Sequence, residues 1–353
     1  MTEFRARAIA LYLPQYHPIP ENDAWWGTGF TEWTNVTRAR RLFPGHRQPH
    51  LPADLGFYDL RLPEAREAQA ELAAAHGIEG FCYWHYWFGN GRRLLERPLT
   101  EVVRSGRPAI GFCVGWANET WSGVWHGASE RILVEQTYPG VADARAHFEA
   151  LLPAFRDARY LTVGGRPILQ VYRPGNLPNA RSFVDLWQDM ARRAGLPGLY
   201  LVAALGEDYD HLRATSDGFD AGYYQRLPFV NSRRNLWVAR VRHKLLRQPV
   251  IYRYASEPLH WPWPEGAGVQ PCVVPNWDNT PRCGRDGIVL TDARPEHFRV
   301  HVRDAIERLA SRPAEERLLW VKSWNEWAEG NYLEPDQETG RARLEVLREE
   351  LVR

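Results

Sequence analysis

The sequence predicts one α/β domain over 1–353, a (β/α)8 TIM barrel with long inserted loops on its C-terminal face. Eight short apolar runs recur along the chain, helical patterns fill the gaps between them, and no glycine-rich phosphate turn follows the first run. Alternating strand and helix patterns specify a parallel sheet. Eight such pairs suit a closed barrel, and an open dinucleotide-binding sheet would carry GxGxxG after its first strand.

The runs fall at 8–13, 77–84, 109–114, 167–172, 199–205, 218–224, 269–275 and 318–324. Each is nearly continuous in apolar residues, as a strand covered on both faces requires. After the first comes Pro14-Gln15-Tyr16-His17 and then a Pro/Trp/Gly-rich stretch through Pro52. A long structureless loop in a compact domain is usually functional, and this one is expected to fold over the barrel mouth. Helix 63–76 follows, with Pro63 in its first turn and Gly77 just past its end, the usual asymmetry of helix termini. Further helices are expected at 142–155, 183–194, 296–310 and 341–351, the last with Leu344, Leu347 and Leu351 on one face. A basic stretch, 233–253, fits the alternation poorly and reads as a solvated helical insertion around 230–255 or, less simply, as an anion-binding patch.

Formal charge is +1, so no global field favours nucleic acid or a membrane surface. Cys82, Cys113, Cys272 and Cys283 lack the close spacing of a zinc site or a disulfide framework and read as small core residues. The polar start and the shortness of the first apolar run resemble neither a signal sequence nor a membrane span, which gives a cytoplasmic location as the expectation. Sixteen tryptophans stand out, many beside Gly, Asn and Glu. Most serve packing, and those at loops offer flat faces to sugar rings.

The last apolar run empties into Ser323-Trp324-Asn325-Glu326-Trp327-Ala328-Glu329-Gly330. Barrel chemistry sits where strands end, and glycoside cleavage needs two carboxyl groups, one to protonate the leaving oxygen and one on the sugar side. Glu326 and Glu329 supply that pair, with tryptophans lowering the local polarity. An ordinary strand-to-helix turn with acidic first residues would look the same in isolation. The other strand ends favour the functional alternative. Tyr12, Gln15, Tyr16 and His17 follow the first strand, Trp84, His85 and Tyr86 end the second, and Trp116, Asn118 and Glu119 follow the third. Tyr172 ends the fourth, and Trp277 and Asp278 follow the seventh. Such a ring of aromatic and hydrogen-bonding residues fits a polyhydroxylated substrate. The expected contact set is Tyr12, Tyr16, His17, Trp84, His85, Tyr86, Trp116, Asn118, Glu119, Tyr172, Trp277, Asp278, Trp324 and Asn325, with Glu119 a possible third carboxylate of the chemistry. Asp208-Tyr209-Asp210 has the DxD form of metal-dependent sugar transferases, a pattern short enough to arise by chance.

Six longer segments carry a family resemblance: ALYLPQYHPIPEND (10–23), WWGTGFTEWTNV (25–36), GFCYWHYWF (80–88), WANETW (116–121), PNWDNTPR (275–282) and SWNEWAEGNYLEP (323–335). Over nearly its full length the chain resembles the WbsX-type proteins, often labelled glycosyltransferases of surface-polysaccharide synthesis, which are themselves similar to glycoside hydrolase family 99. That resemblance implies a retaining endo-α-mannosidase type of reaction without metal or organic cofactor. In it Glu326 takes the proton of the sugar 2-hydroxyl, the 2-oxygen displaces the leaving group to form a 1,2-anhydro sugar, and Glu329 acts as acid and then as base for water. Family 99 usually has His where Ala328 stands, which leaves the choice between α-mannoside and α-rhamnoside linkages of a bacterial surface glycan open. The rival readings are a transferase using a sugar nucleotide or lipid-linked donor, with Asp208 and Asp210 on a metal, and a glycan-binding module without chemistry.

Overall fold

In the computed structural model the described residues are 4–123, 131–206, 208–224, 245, 247–256, 265–266 and 268–352. Nine parallel strands form the barrel wall: β1 (Arg7–Tyr12), β2 (Ile78–Trp87), β3 (Gly111–Trp116), β4 (Arg166–Val171), β5 (Tyr200–Leu205), β6 (Ala221–Tyr224), β7 (Val269–Gln270), β8 (Cys272–Val273) and β9 (Leu318–Val321). Neighbours run in the order β7-β6-β5-β4-β3-β2-β1-β9-β8. The two ends of that list, β7 and β8, are halves of one run interrupted at Pro271, so the wall nearly closes on itself. Proline has no N–H for the ladder, which accounts for the break. Its carbonyl still accepts from the Trp320 N–H at 3.0 Å.

All eight predicted runs are strands, with ends that shift by a few residues. The second extends to Trp87 because Arg93–Leu94 folds back on it in antiparallel pairing. The tightest approach in the wall is between β2 and β3. A Cβ on Gly80 would lie 2.3 Å from the Gly111 carbonyl oxygen and 2.9 Å from a Leu161 methyl, so only glycine lets these strands meet. Inside the core, Trp320 of β9 stacks on Tyr223 of β6 at 4.6 Å and donates from Nε1 to Gln270 Oε1 at 2.6 Å. These contacts tie β9 to β6 and β7 across the closure.

Helices fill the gaps: α1 (Pro20–Trp26), α2 (Glu32–Arg38), α3 (Pro63–Ala75), α4 (Arg97–Ser105), α5 (Val141–Phe155), α6 (Ala180–Arg193), α7 (His211–Ser216), α8 (Thr280–Cys283), α9 (Pro295–Glu307) and α10 (Ala342–Val352). The stretch after β1, expected to be structureless, carries α1 and α2. Pro20 opens the first, and a Thr31/Thr34 capping box opens the second. Its far end is pinned to the loop after β9 by a bridge between Pro52 and Asp336. The helical part of the expected basic insertion, 225–244, lies outside the described residues. The end of that stretch, Val250–Arg253, is a strand paired in parallel with Ile288–Thr291. Cys82, Cys113 and Cys272 are buried free thiols and Cys283 is half-buried. No helix among the described residues is long and apolar enough to cross a membrane.

Overpacking a close strand contact costs about 1–3 kcal/mol. Gly80→Ala is therefore expected to lower stability by about that amount, read as a lower urea midpoint with an unchanged m-value. An unchanged midpoint would show that the wall can relax there.

Candidate active site

Past β9 the chain makes a tight hairpin in which Asn325–Glu326 pairs with Asn331–Tyr332 across a 3-10 turn, Trp327–Glu329. Glu326 and Glu329 therefore share a turn rather than a helix face. Three anchors fix it. Asn325 clamps the end of β1, accepting from the Leu13 N–H at 2.7 Å and donating to the Leu13 carbonyl at 3.0 Å. Ser323 Oγ accepts from the backbone N–H groups of Asn325 and Glu326 at 3.1 and 3.0 Å. On the far side, the Glu329 carbonyl accepts from Asp278 N at 2.7 Å, and Gly330 adopts φ +59° where a Cβ would lie 2.8 Å from Asp278. Both the left-handed conformation and the close approach require glycine.

Arg282, on the short helix α8, reaches into this turn and holds three carboxylates. Its Nη1 donates to Glu329 Oε1 at 2.6 Å and its Nη2 to Glu326 Oε2 at 2.9 Å. Nε and Nη2 both contact Glu32 Oε1, at 2.8 and 2.6 Å. All four side chains are largely buried, which makes the guanidinium fork, planar and permanently charged, the suitable counter-ion. Burial, then the charge of Glu329, push Glu326 up to about 8 against the opposing effect of Arg282. Burial also raises Glu32, again opposed by Arg282.

A cleft of about 210 Å³ opens above the turn. Its walls include Trp84, Tyr86, Glu119, Thr120, Trp121 and Tyr172 from the ends of β2, β3 and β4, with Trp277 and Lys322 opposite, and Gln15, Asn22, Trp26 and Glu32 from the segment after β1. Trp84 meets Tyr172 edge-on at 5.4 Å, and Tyr86 meets Trp121 at 4.9 Å. Glu119 pairs with Arg173 at 3.2 Å, and Lys322 Nζ lies 5.6 Å from the centre of the Trp277 ring.

Of the residues expected around the substrate, Trp84, Tyr86, Glu119, Tyr172 and Trp277 line this cleft together with Glu326 and Glu329. The remainder stand behind its wall as supports. Tyr12 donates to Gln69 in the core, Tyr16 donates to the Asn325 carbonyl, and Trp324 packs on Phe81 at 5.2 Å. His17 is buried away from the cleft, and burial lowers its pKa. His85 shares a hydrogen bond with His147 at 3.0 Å, and burial holds it down to about 3, so this is a neutral imidazole pair. Trp116 donates to the Trp87 carbonyl, and Asn118 ties the Arg173 backbone to Tyr138. The Asp278 carboxylate accepts from His46, Gln48 and both donors of Thr280. Burial works to raise Asp278, and those bonds outweigh it and hold the group below the usual carboxylate range. Asp210 caps α7 by accepting from the Arg213 N–H, and neither it nor Asp208 lines the cleft. Among the described residues no group of three or more His, Cys, Asp or Glu side chains is placed to hold a metal.

Sequence reasoning gave no role to Arg282, Glu32, Asn22, Trp26 or Lys322. Arg282 closes the segment PNWDNTPR, and Asn22, Trp26 and Glu32 fall in the two segments after β1. A signal was therefore present, without anything to say that these segments converge.

A family model described as "Glycosyltransferase WbsX" matches residues 8–347. Two curated relatives, both named WxcX and described as uncharacterized, come from strains of Xanthomonas campestris pv. campestris. Each is 38% identical over 354 residues, covering 99% of this chain and 50% of the relative. The chain thus spans about half the length of the curated relatives it matches. Among solved structures, a glycoside hydrolase-like protein aligns with TM-score 0.61 at 13% identity, covering 99% of this chain and 95% of its own. The family 99 endo-α-mannosidase from Bacteroides thetaiotaomicron aligns with TM-score 0.58 at 14% identity, covering 98% and 96%. Its complex with bis-tris propane aligns at 0.61 and 12% identity, covering 99% and 97%. At these identities the likeness bears on the fold, and it agrees with the barrel.

Removing one partner of a buried ion cluster strands the others, at a cost of about 3–5 kcal/mol. Arg282→Ala is expected to lose stability in that range by denaturant titration. Arg282→Lys, which keeps the charge and loses the fork, is expected to retain most of the stability. Equal losses from both would show that geometry and charge cannot be separated at this position.

Proposed function

The chain belongs to the WbsX family, and on that premise we propose that it is a retaining glycosidase. Its substrates are α-mannoside- or α-rhamnoside-type linkages of a bacterial surface glycan. The observation that carries this reading is the pair Glu326 and Glu329, held on one guanidinium at the floor of an aromatic cleft. One guanidinium holds both carboxyl groups, each on its own terminal nitrogen.

In the proposed reaction Glu329 gives its proton to the leaving oxygen while Glu326 takes the proton of the sugar 2-hydroxyl. The freed 2-oxygen displaces the leaving group at C1 and closes a 1,2-anhydro sugar. Water then enters, loses a proton to Glu329 and attacks C1, and the reopened 2-oxygen recovers its proton from Glu326. Two inversions give net retention. The geometry needs a 2-hydroxyl anti to the leaving group, which α-manno and α-rhamno sugars have. A base is most effective with a pKa near the working pH, and burial sets Glu326 in that range.

The transferase reading draws on the family's own description. It requires a site for a donor phosphate, and the one DxD motif offers a helix cap in place of a free acidic pair.

Three outcomes test the proposal. Incubation with α-mannosyl and α-rhamnosyl oligosaccharides without any nucleotide is expected to release product of retained configuration, followed by proton NMR. Transfer seen only when a sugar nucleotide is supplied would move the protein to the transferase class. Glu326→Gln and Glu329→Gln are each expected to reduce turnover by about 10³-fold or more while leaving the circular dichroism spectrum unchanged. With Glu326 as base, the reactive form is the ionised one. Glu329 must keep its proton at the same time, so the reactive pair carries one proton and kcat/KM is expected to fall above about pH 8. A flat profile above that pH would show that the reaction needs no proton on this pair.

A further inference from the structure

Two side chains in the cleft wall keep buried polar atoms that no described residue pairs. Asn22, on α1, is 1% exposed, and neither its amide nitrogen nor its amide oxygen has a hydrogen-bond partner among the described residues. Glu32, the first residue of α2, is also 1% exposed. Its Oε1 is held by Arg282, while Oε2 has no partner among the described residues. Both residues line the cleft that holds Glu326 and Glu329.

Leaving a buried polar group unpaired is costly, and native proteins pair nearly all of them. Such groups persist where a ligand supplies the missing partner. Asn22 presents a donor and an acceptor together, and Glu32 Oε2 presents an anionic acceptor. The matching ligand bears neighbouring hydroxyl groups, at least one of which donates. Charge disfavours an acidic ligand, since the cleft carries Glu32, Glu119, Glu326 and Glu329 against Arg282, Lys322 and the Arg173 that pairs with Glu119. A carboxylate or sulfate beside Glu32 would face an unpaired oxygen of its own sign.

We propose that Asn22 and Glu32 form a sugar subsite, built by the segment after β1, that grips the hydroxyls of a neutral ring and rejects acidic ones. It rests on the glycosidase reading for the identity of the cleft and adds the residues that select the substrate. Trp26 and Gln15 complete the same wall.

Binding can be measured apart from cleavage by titrating the Glu329→Gln protein calorimetrically with a neutral α-linked mannotetraose and with the same chain bearing one uronic acid. The neutral chain is expected to bind about tenfold or more tighter than the acidic one. Asn22→Leu should weaken the neutral chain by about tenfold or more, and Glu32→Gln should narrow the gap between the two. Because Asn22 leaves its amide unpaired, Asn22→Leu is also expected to raise Tm by about 1–3 °C. A structural asparagine would show the opposite, a lowered Tm with affinity unchanged, and that result overturns the subsite. If neither chain binds the parent protein, the mannoside reading fails by itself. The Tm response then decides the subsite, a rise supporting it and a fall removing it.

Discussion

The site depends on a single cation. Arg282 sits among Glu32, Glu326 and Glu329 and donates to all three largely buried carboxylates. Desolvated charges are tolerated when paired and fully bonded, and a planar guanidinium with fixed donors can satisfy several oxygens where an ammonium could not. Burial and the neighbouring Glu329 charge raise the Glu326 pKa, and Arg282 opposes both.

Holding Arg282 in place is the task of residues that never face the substrate. Asp278, two residues before α8, is buried and accepts four hydrogen bonds, from His46, Gln48 and Thr280. Its own N–H meets the Glu329 carbonyl. The loop bearing the arginine and the turn bearing the glutamates are thereby locked together at one point, with Gly330 allowing the contact. Behind the turn, Glu334 accepts from Trp327 Nε1, Tyr58 OH and Gln69 Nε2, and burial lifts it to about 7. Trp327 stacks on Tyr332 at 3.8 Å between these anchors. A second layer of buried polar groups with satisfied bonds fixes the turn that carries Glu326 and Glu329, as the proposed chemistry would require.

The segment after β1 supplies the remaining wall. It crosses the barrel mouth as two short helices, bonds back to Gln15 through the Glu32 N–H, and is fastened at Pro52 to Asp336. Barrel enzymes vary their substrates through the loops on this face while the strands stay the same. This segment delivers Glu32 to the arginine and Asn22 to the cleft, and so joins the cleft wall to the arginine-held carboxyl pair.

Much of the architecture was legible in the chain. Apolar runs of strand length separated by amphipathic patterns define the β1 to β9 wall, because strands covered on both faces must be apolar throughout. The break at Pro271 was missed, since a single proline inside an apolar run does not announce which ladder bond it removes. Glu326 and Glu329 were legible as a carboxyl pair at a strand end, and both line the cleft. Which aromatic and polar residues face the cleft was not legible. Side chains at a strand end alternate between inside and outside, so Trp84 and Tyr86 line the cleft whereas His85 between them pairs with His147 behind it. Asn325 and Asp278 had the chemistry of sugar ligands and are spent on the backbone and on His46. Sequence thus determined the barrel, the carboxyl pair and the supply of aromatic residues, all of which follow from local pattern. Only the tertiary structure decided that Arg282, Glu32 and Asn22 join them, because charges some 250 positions apart along the chain become partners only when the wall closes.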